Sequence, residues 1–341
     1  MANRIPSGSR LFQGFSVALV LWVGLTGTAL AGGTVALQFE NDILGLDDSD
    51  KHYTNGLALS WLSRPDQLPG WLDRRVRGHN AWFGADTFHL RLAVGQNLFT
   101  PEDIKTTDLV VDDRPYAGWL HGDMTIVAQD DNSLTLLEIS LGVVGPSAMG
   151  REVQDWVHGV IDSPIPQGWD NQLHDEFAVM VGYGRKWRNF GQDQCWTVPG
   201  LPGLEFDISP QVDMALGNVF TYAATGVSLR LGQGLRGTVT PIRLRPGGTG
   251  SLIRGPGKGF AWNVFTGIEG RWMIHNIFLD GNTFGSSHSV ERIPLVGDFW
   301  VGWDLSWRSL RMAVHYVNRS REFVGQHSSD HFGALTFAVD Y

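Results

Sequence analysis

Alternation of apolar and polar residues is the dominant pattern along this chain, and it predicts β-strands. Twelve runs follow this period of two, among them TVALQFEND, TFHLRLAVGQ and EFAVMVGYGRKW. Short polar breaks such as 130–133 separate several neighbouring runs, as expected for antiparallel hairpins. The chain is therefore predicted to be all-β, with about twelve antiparallel strands.

The final run, HFGALTFAVDY, indicates how these strands are arranged. Its outward set would be Gly333, Leu335, Phe337, Val339 and Tyr341, so one face ends on an aromatic residue. This resembles the terminal strand of bacterial outer-membrane barrels, which the barrel assembly machinery recognises. A transmembrane barrel has an even number of strands, an apolar outer face and aromatic girdles, which suits the 14 Trp, 18 Phe and 43 Gly. An antiparallel transmembrane β-barrel is therefore favoured over a secreted β-sandwich.

Longer segments between the runs are predicted to be external loops of the barrel. They span residues 62–86, 99–113, 144–171, 189–200, 233–257 and 282–296.

The N-terminus predicts a secretory signal peptide over residues 1–31. Arg4 and Arg10 precede an apolar stretch, and Ala29-Leu30-Ala31 forms an A-x-A cleavage site. The barrel domain would then span 32–341, and no later apolar run is long enough for a transmembrane helix.

The chain has a net charge of −9, and removal of the two arginines makes it more negative, which argues against nucleic acid as a partner. The single cysteine, Cys195, excludes an intramolecular disulfide.

One segment, from Val143 to Asp162, has the period of a helix instead of a strand. Its apolar positions are Val153, Trp156, Val157, Val160 and Ile161, and its polar positions are Arg151, Gln154, Asp155, His158 and Asp162. Gln154 and His158 are four residues apart and so lie on one stripe of the helix. We expect this helix to fold against the barrel and to supply a catalytic imidazole.

Polar clusters at the predicted strand ends are candidates for a cation site. Glu40-Asn41-Asp42 ends the first strand, and His52-Tyr53-Thr54 opens the second, so Asn41, Asp42 and Thr54 can meet at one rim. Oxygen donors of this kind suit Ca²⁺. Three further features are ambiguous from sequence alone: the acidic loop with Asp47, Asp48 and Asp50, Arg114 in DDRPYAG, and His174-Asp175-Glu176. Arg114 could tie a strand end to Asp112 or Asp113, or could contact a lipid phosphate.

Taken together, the motifs END, YTNG, GQ…TP, DRPYAGWL and EVQ-x-x-x-H resemble the outer-membrane lipid A 3'-O-deacylases, the LpxR-like family. The resemblance covers residues 32–341. It implies a twelve-stranded barrel in the bacterial outer membrane, with one short helix from an infolded extracellular loop. It also implies Ca²⁺-dependent hydrolysis of the ester that holds the 3'-linked acyloxyacyl group of lipid A, with lipopolysaccharide and outer-membrane lipids as partners.

The same resemblance implies which residues act. The catalytic histidine corresponds to His158, and further site residues correspond to Asn41, Asp42, Thr54 and Gln154, the first three of which would hold the Ca²⁺. One departure stands out, because a member of the resembled family has a functional Glu six residues after the His and this chain has Pro164 there. Either the role is unnecessary here, or another acid fills it, with Asp162 the nearest carboxylate and Glu176 a more distant substitute.

An imidazole can take a proton from water near neutral pH, while a bound cation stabilises the oxyanion of the attacked ester. Thr54 could instead be the nucleophile, with His158 as its base. An outer-membrane phospholipase is a rival interpretation, although it would be expected to carry a Ser beside a His on one strand. A third interpretation is a non-catalytic barrel or channel that the helical loop plugs, and a fourth is a degenerate deacylase that binds lipid A without cleaving it.

Overall fold

Twelve antiparallel strands close into a single barrel in the computed structural model, which describes residues 32–42, 52–188, 195–235, 238–239, 253–254 and 259–341. The strands are β1 (Gly33–Asn41), β2 (His52–Ser63), β3 (Thr87–Thr100), β4 (Ala117–Gln129), β5 (Ser133–Val144), β6 (Glu176–Trp187), β7 (Glu205–Gly217), β8 (Phe220–Gln233), β9 (Phe260–Asn276), β10 (Leu295–Trp307), β11 (Leu310–Arg319) and β12 (Asp330–Asp340). Each strand pairs with the next along the chain, and β12 pairs with β1 to close the ring. The predicted fold class is confirmed. The predicted signal peptide and the aspartates at 47, 48 and 50 lie outside the described residues.

Short elements decorate the ends of the barrel. The helices are α1 (Gly70–Gly78), α2 (Asn80–Phe83), α3 (Gly150–Ile161) and α4 (Ile277–Asp280), with 3₁₀ turns at Pro146–Ala148 and Trp169–Asn171 and two-residue strands at Trp196–Thr197, Thr238–Val239 and Ile253–Arg254. Within the described ranges, no helix has the length and apolar character needed to cross a membrane. The helix predicted between residues 143 and 162 is α3.

Strand direction divides the loops between two rims. The terminal rim carries both chain ends and the connections 63–87, 129–133, 187–205, 233–260 and 307–310. The opposite rim, here called the site rim, carries the connections 41–52, 100–117, 144–176, 217–220, 276–295 and 319–330. The prediction that all six loops are external was therefore wrong, because the connections 63–87, 187–205 and 233–260 leave the strands at the rim opposite to 100–117, 144–176 and 276–295. The length and polarity of a loop do not indicate at which end of the barrel it lies.

The wall has an apolar outer face and a charged interior. Exposed apolar side chains such as Phe177, Val179 and Val181 alternate along β6 with buried ones. Charged side chains buried in the barrel include Glu138, Asp207, Arg230, Glu269, Arg271, Asp298 and Arg319. These groups pair with one another, as in the contact from Arg319 Nε to Asp298 Oδ1 at 2.9 Å, which offsets the cost of removing them from water.

The interior is closed towards the site rim by α4. Phe278 on this helix stacks on Phe99 of β3, with ring centroids 3.9 Å apart, and it also contacts Trp119 and Phe220. Because these rings are buried inside the barrel, α4 and not α3 is the helix that fills the lumen. The position of α3 is different, and it defines the candidate site.

Candidate active site

A row of four paired residues marks the outer surface of the wall near the site rim. Asn41 pairs with Asn55, Asn55 with Leu98, and Leu98 with Gly118, across β1 to β4. The row faces outward, since Asn97 next to Leu98 points inward and hydrogen bonds to interior groups. With about 4.8 Å between neighbouring strands, the row is about 14 Å long.

Helix α3 begins on this row. A Cβ added to Gly118 would lie 3.1 Å from Ala148 Cβ and 3.3 Å from Gly150 Cα, so the first turn contacts the wall where there is no side chain. Gln96 Nε2 donates a hydrogen bond to Ala148 O at 2.6 Å and fixes the same turn. A helix of 12 residues is about 18 Å long, which is sufficient to cover the whole row.

The polar face of the amphipathic helix α3 is buried against the barrel, which is the reverse of the usual arrangement. Gln154 and His158 are each only 2% exposed, whereas Trp156 is 63% exposed and Val160 is 68% exposed. In an ordinary globular helix the apolar side would be buried. The reversal encloses an imidazole and an amide beside the barrel wall and leaves apolar groups on the outside.

His158 is oriented by a backbone carbonyl. Its Nδ1 lies 2.6 Å from Pro164 O. A carbonyl oxygen only accepts, so Nδ1 carries the proton, and Nε2 of the neutral ring is the basic nitrogen. Pro164, the position at which the sequence departs from the pattern of the resemblance, thus supplies an orienting acceptor from its main chain.

The two acids proposed as replacements for that side chain have other surroundings. Asp162 is exposed at the end of α3. Glu176 is bound by Asn218 Nδ2 at 2.8 Å and by Asn282 Nδ2 at 3.2 Å, which ties it to other loops of the site rim. The acceptor that His158 has in the structure comes from the backbone, which residue types do not reveal.

Gln154 is fixed by Trp169, a residue that no sequence motif marks. Trp169 Nε1 donates to Gln154 Oε1 at 2.8 Å, and since an indole nitrogen can only donate, the orientation of the amide is determined. Gln154 Nε2 is buried and has no hydrogen-bond partner among the described residues. A fixed, unsatisfied N–H of this kind is suited to bind an oxygen atom of a ligand. Trp169 packs with Leu98, Ile104 and Tyr116.

Tyr116 packs against Trp169 and helps to hold it in place. Its ring lies against Trp169, with centroids 5.0 Å apart, and burial raises the pKa of Tyr116 to about 12. The hydroxyl therefore stays protonated across the physiological range.

On the wall side, Asn41 and Thr54 are brought together. Asn41 Nδ2 donates to Thr54 O at 3.0 Å, and Thr54 Oγ1 lies 2.7 Å from Thr100 Oγ1. Thr54 is the extra residue of a β-bulge, since the pairing of β2 with β3 shifts register between Tyr53 and Asn55. The sequence motif YTNG thus corresponds to a local irregularity that redirects one hydroxyl. Asp42, directly after β1, is buried.

The two halves of the candidate site meet on β3. Thr100 holds the Thr54 hydroxyl, while Leu98, two residues earlier on the same face, packs under Trp169. These contacts place Asn41 and Thr54 on the wall side, and Gln154 and His158 on the helix side.

His52 lies at the edge of this region with an unusual backbone. Its φ of 65° is left-handed, which is uncommon for a residue with a side chain. The ring bridges two acids from different loops, with Nδ1 2.5 Å from Asp330 Oδ1 and Nε2 3.5 Å from Asp113 Oδ1. Burial would raise the pKa of Asp113, but hydrogen bonds from His52 and from the backbone hold it below its usual range. His52 therefore clamps the start of β2, and with it Thr54.

The predicted Ca²⁺ ligands can be compared with this arrangement. Asn41, Asp42 and Thr54 offer an amide, a buried carboxylate and a hydroxyl, which are the oxygen types that Ca²⁺ prefers. Within the described part of the chain, no three His, Cys, Asp or Glu side chains are grouped so that they could hold a metal. A cation at this place would therefore rely on amide, hydroxyl and main-chain oxygens besides Asp42.

The other ambiguous clusters have structural partners. Arg114 is buried and its Nη2 donates to Glu322 Oε2 at 2.8 Å, so its guanidinium is tied to the connection 319–330 and not to Asp112. Asp175 holds Ser147 through two hydrogen bonds of 2.7 Å, at the turn before α3. Both clusters therefore organise the rim.

The chain is similar to a known family and to solved structures. The family model described as outer membrane protein LpxR matches residues 15–341. LpxR from Salmonella typhimurium is 19% identical, with a TM-score of 0.73 over 90% of this chain and 99% of that chain. The beta domain of the Bordetella autotransporter BrkA is 10% identical, with a TM-score of 0.45 over 91% of this chain and 100% of that chain. No curated protein sequence matches the chain.

Proposed function

Because the chain belongs to the LpxR family of outer membrane proteins, we propose that it is a lipid A 3'-O-deacylase that hydrolyses the ester of the 3'-linked acyloxyacyl group. The observation that carries this proposal is the enclosure of His158 and Gln154 between α3 and the outward-facing row of the wall. A site on the outer surface can be reached sideways from the membrane. That suits a lipid substrate and gives no role to a path through the barrel interior.

In the proposed reaction, His158 Nε2 removes a proton from a water molecule, and the water oxygen forms a bond to the ester carbonyl carbon. The Nδ1 proton stays hydrogen-bonded to the Pro164 carbonyl, which stabilises the imidazolium. When the tetrahedral intermediate collapses, the bond to the sugar oxygen breaks, and Nε2 returns the proton to that oxygen. The products are the free acid of the acyloxyacyl group and a 3'-hydroxyl on the sugar.

Gln154 is proposed to bind a substrate oxygen through its unsatisfied Nε2, with Trp169 holding the amide in place. A donor aimed at the developing oxyanion is typically worth about 3 to 4 kcal/mol. Ca²⁺, held by Asn41, Asp42 and Thr54, would supply Lewis-acid stabilisation of the same charge when bound. Thr54 is engaged with Thr100, which favours water over Thr54 as the nucleophile.

The substrate class can be tested directly. The purified protein is incubated with Ca²⁺ and either lipopolysaccharide or vesicles of phosphatidylethanolamine and phosphatidylglycerol, and both reactions are analysed by mass spectrometry. Loss of one acyloxyacyl group from lipid A, with intact phospholipids, is the expected result. Formation of lysophospholipid with intact lipid A would contradict the proposal and support the phospholipase alternative.

A further inference from the structure

Helices α1 and α2 lie on the outer surface of the barrel at the terminal rim, on the face that would contact lipid. Their buried side chains Leu72, Val76 and Phe83 form one cluster with a patch of β3 and β4. That patch consists of Phe88, Leu90, Ile126 and Ala128, in which Phe88 pairs with Ala128 and Leu90 with Ile126.

The position on the outside follows from the register. Arg91, next to Leu90, points inward, where its Nη1 lies 3.6 Å from Glu138 Oε2. Leu90 must then point outward, because side chains alternate along a strand. On the neighbouring strand β5, the outward residues Ile139 and Leu141 are exposed, as expected for a lipid-facing wall. The two helices therefore replace lipid over one part of the wall.

The uncovered side of the helices has the composition of a membrane interface. Trp71 is 60% exposed and Trp82 is 77% exposed. Tryptophan at the edge of an apolar wall is typical of the headgroup level of a bilayer. The same side carries Arg74 and Arg75, so aromatic and cationic groups occur together, as in helices that lie in the plane of a membrane surface.

The arginines of α1 differ in their pairing. Arg77 is neutralised, since it contacts Asp66 Oδ1 and Asp73 Oδ1, each at 2.8 Å. Arg74 and Arg75 form no ion pair with any residue that the structure describes. Two guanidinium groups are therefore available to an external anion.

These two groups border a cleft that can hold a headgroup. Trp71, Arg74, Arg75 and His79 line a cleft of about 460 Å³. Trp71, Arg75 and His79 are spaced four residues apart and so form one stripe of the helix. His79 Nδ1 donates to Arg75 O at 2.9 Å, which fixes the end of the cleft.

We propose that the cleft of Trp71, Arg74, Arg75 and His79 binds the phosphate of an anionic phospholipid in the leaflet at the terminal rim. Two unpaired guanidinium groups complement the phosphate, and the adjoining apolar wall accommodates the acyl chains. The site is on the opposite rim from α3 and does not depend on the proposed hydrolysis. It would seat the barrel at a fixed depth in the membrane.

Native mass spectrometry of the detergent-solubilised protein, titrated with phosphatidylglycerol, phosphatidylethanolamine or lipid A, tests this site. The wild type should retain phosphatidylglycerol in preference to the other two lipids. The variant Arg74→Gln/Arg75→Gln should bind it about 25-fold more weakly, because each of the two basic residues near an anionic surface contributes about fivefold. The matched control Arg77→Gln removes a cation that is already paired and should bind like the wild type.

Heat-modifiable migration on a gel establishes that each variant is folded. Equal retention of phosphatidylglycerol and phosphatidylethanolamine by the wild type would overturn the proposal. So would unchanged binding in the double variant, or an equal loss in Arg77→Gln. Preferential retention of lipid A that depends on Arg74 and Arg75 would contradict the assignment to phospholipid.

Discussion

At the scale of single residues, the site depends on an acceptor that belongs to the backbone. His158 is oriented by Pro164 O, so the side chain at position 164 is not needed for this contact. A carbonyl oxygen at this place is sufficient to keep the proton of the ring on Nδ1.

This leads to a prediction with two matched variants. Pro164→Ala keeps the carbonyl and should retain deacylase activity within a few-fold of the wild type. His158→Asn removes the base and should lower kcat by about 10²- to 10⁴-fold. Initial rates of acyl release from lipid A measure both. A large loss in Pro164→Ala that Pro164→Glu restores would show that an acidic side chain is required after all.

A second prediction concerns Trp169, which fixes Gln154 through one hydrogen bond. Trp169→Phe keeps the aromatic packing but removes the donor, so kcat/KM should fall by about fivefold, the equivalent of about 1 kcal/mol. The exposed Trp156 provides the control, and Trp156→Phe should leave the rate unchanged. Unaltered kinetics in Trp169→Phe would mean that the orientation of Gln154 does not matter.

At the scale of elements, the proposed activity requires α3 to lie close to the barrel wall at Gly118. Gly118→Val would push Val against Ala148 and Gly150, separating the helix from the row while leaving strand pairing intact. Activity should fall at least tenfold, because displacement of a catalytic group by about 1 Å can cost about 10²-fold. The control is Gly122→Ala on the same face of β4, where the nearest atom to an added Cβ is Ala93 O at 3.9 Å.

Circular dichroism and heat-modifiable migration should be the same for both variants. Wild-type activity in Gly118→Val would contradict the docking of α3 as the element that assembles the site.

The strands and the helix could be predicted from sequence, but which of their faces meet in the folded protein could not. The period of two predicted all twelve strands, and the helical period predicted α3, because both periods are local. Pairing of Asn41, Asn55, Leu98 and Gly118 in one row depends on register across four strands, which no local pattern encodes. Burial of the polar face of α3 could not be predicted from sequence either, because the apolar face of an amphipathic helix is normally the buried one.

The individual site residues were predictable only as residue types. Asn41, Thr54, Gln154 and His158 were identified by resemblance, and the structure places the first two on the barrel wall and the last two on α3. Trp169 was missed because it lies in a loop with no catalytic motif. The bulge at Thr54 was likewise not predictable, although YTNG ends in the Asn-Gly that often marks irregular backbone.

At the scale of the whole molecule, buried ion pairs join the loops of the site rim to the barrel. Glu322 links Arg114 before β4 to Arg319 at the end of β11. Burial alone would raise the pKa of Glu322, but the guanidinium groups of Arg319 and Arg114 hold it below its usual range. Its contribution to stability is therefore present above the unfolded pKa and is lost as the pH falls through the lower folded value.

Glu322→Gln should accordingly change how the free energy of unfolding depends on pH. At pH 7 the variant should be less stable by about 3 to 5 kcal/mol, because Arg114 is left buried without its charge partner. The difference should shrink as the pH falls below the unfolded pKa of a glutamate, about 4.3, because the unfolded wild type then binds a proton that the folded carboxylate resists. Urea unfolding in detergent micelles, followed by tryptophan fluorescence, measures this. Glu152→Gln on the exposed side of α3 is the control, and a destabilisation of Glu322→Gln that is constant with pH would contradict the linkage.

Removal of the 3'-acyloxyacyl group from lipid A is the activity that we propose for the site between α3 and the outer wall. Three samples of lipid A are compared by mass spectrometry: one incubated with folded wild-type protein in Ca²⁺, one with wild-type protein in EDTA, and one with His158→Ala in Ca²⁺. We predict loss of the 3'-acyloxyacyl mass in the first sample only. Unchanged lipid A in all three samples, or equal loss with His158→Ala, would contradict the proposed activity and the role of His158.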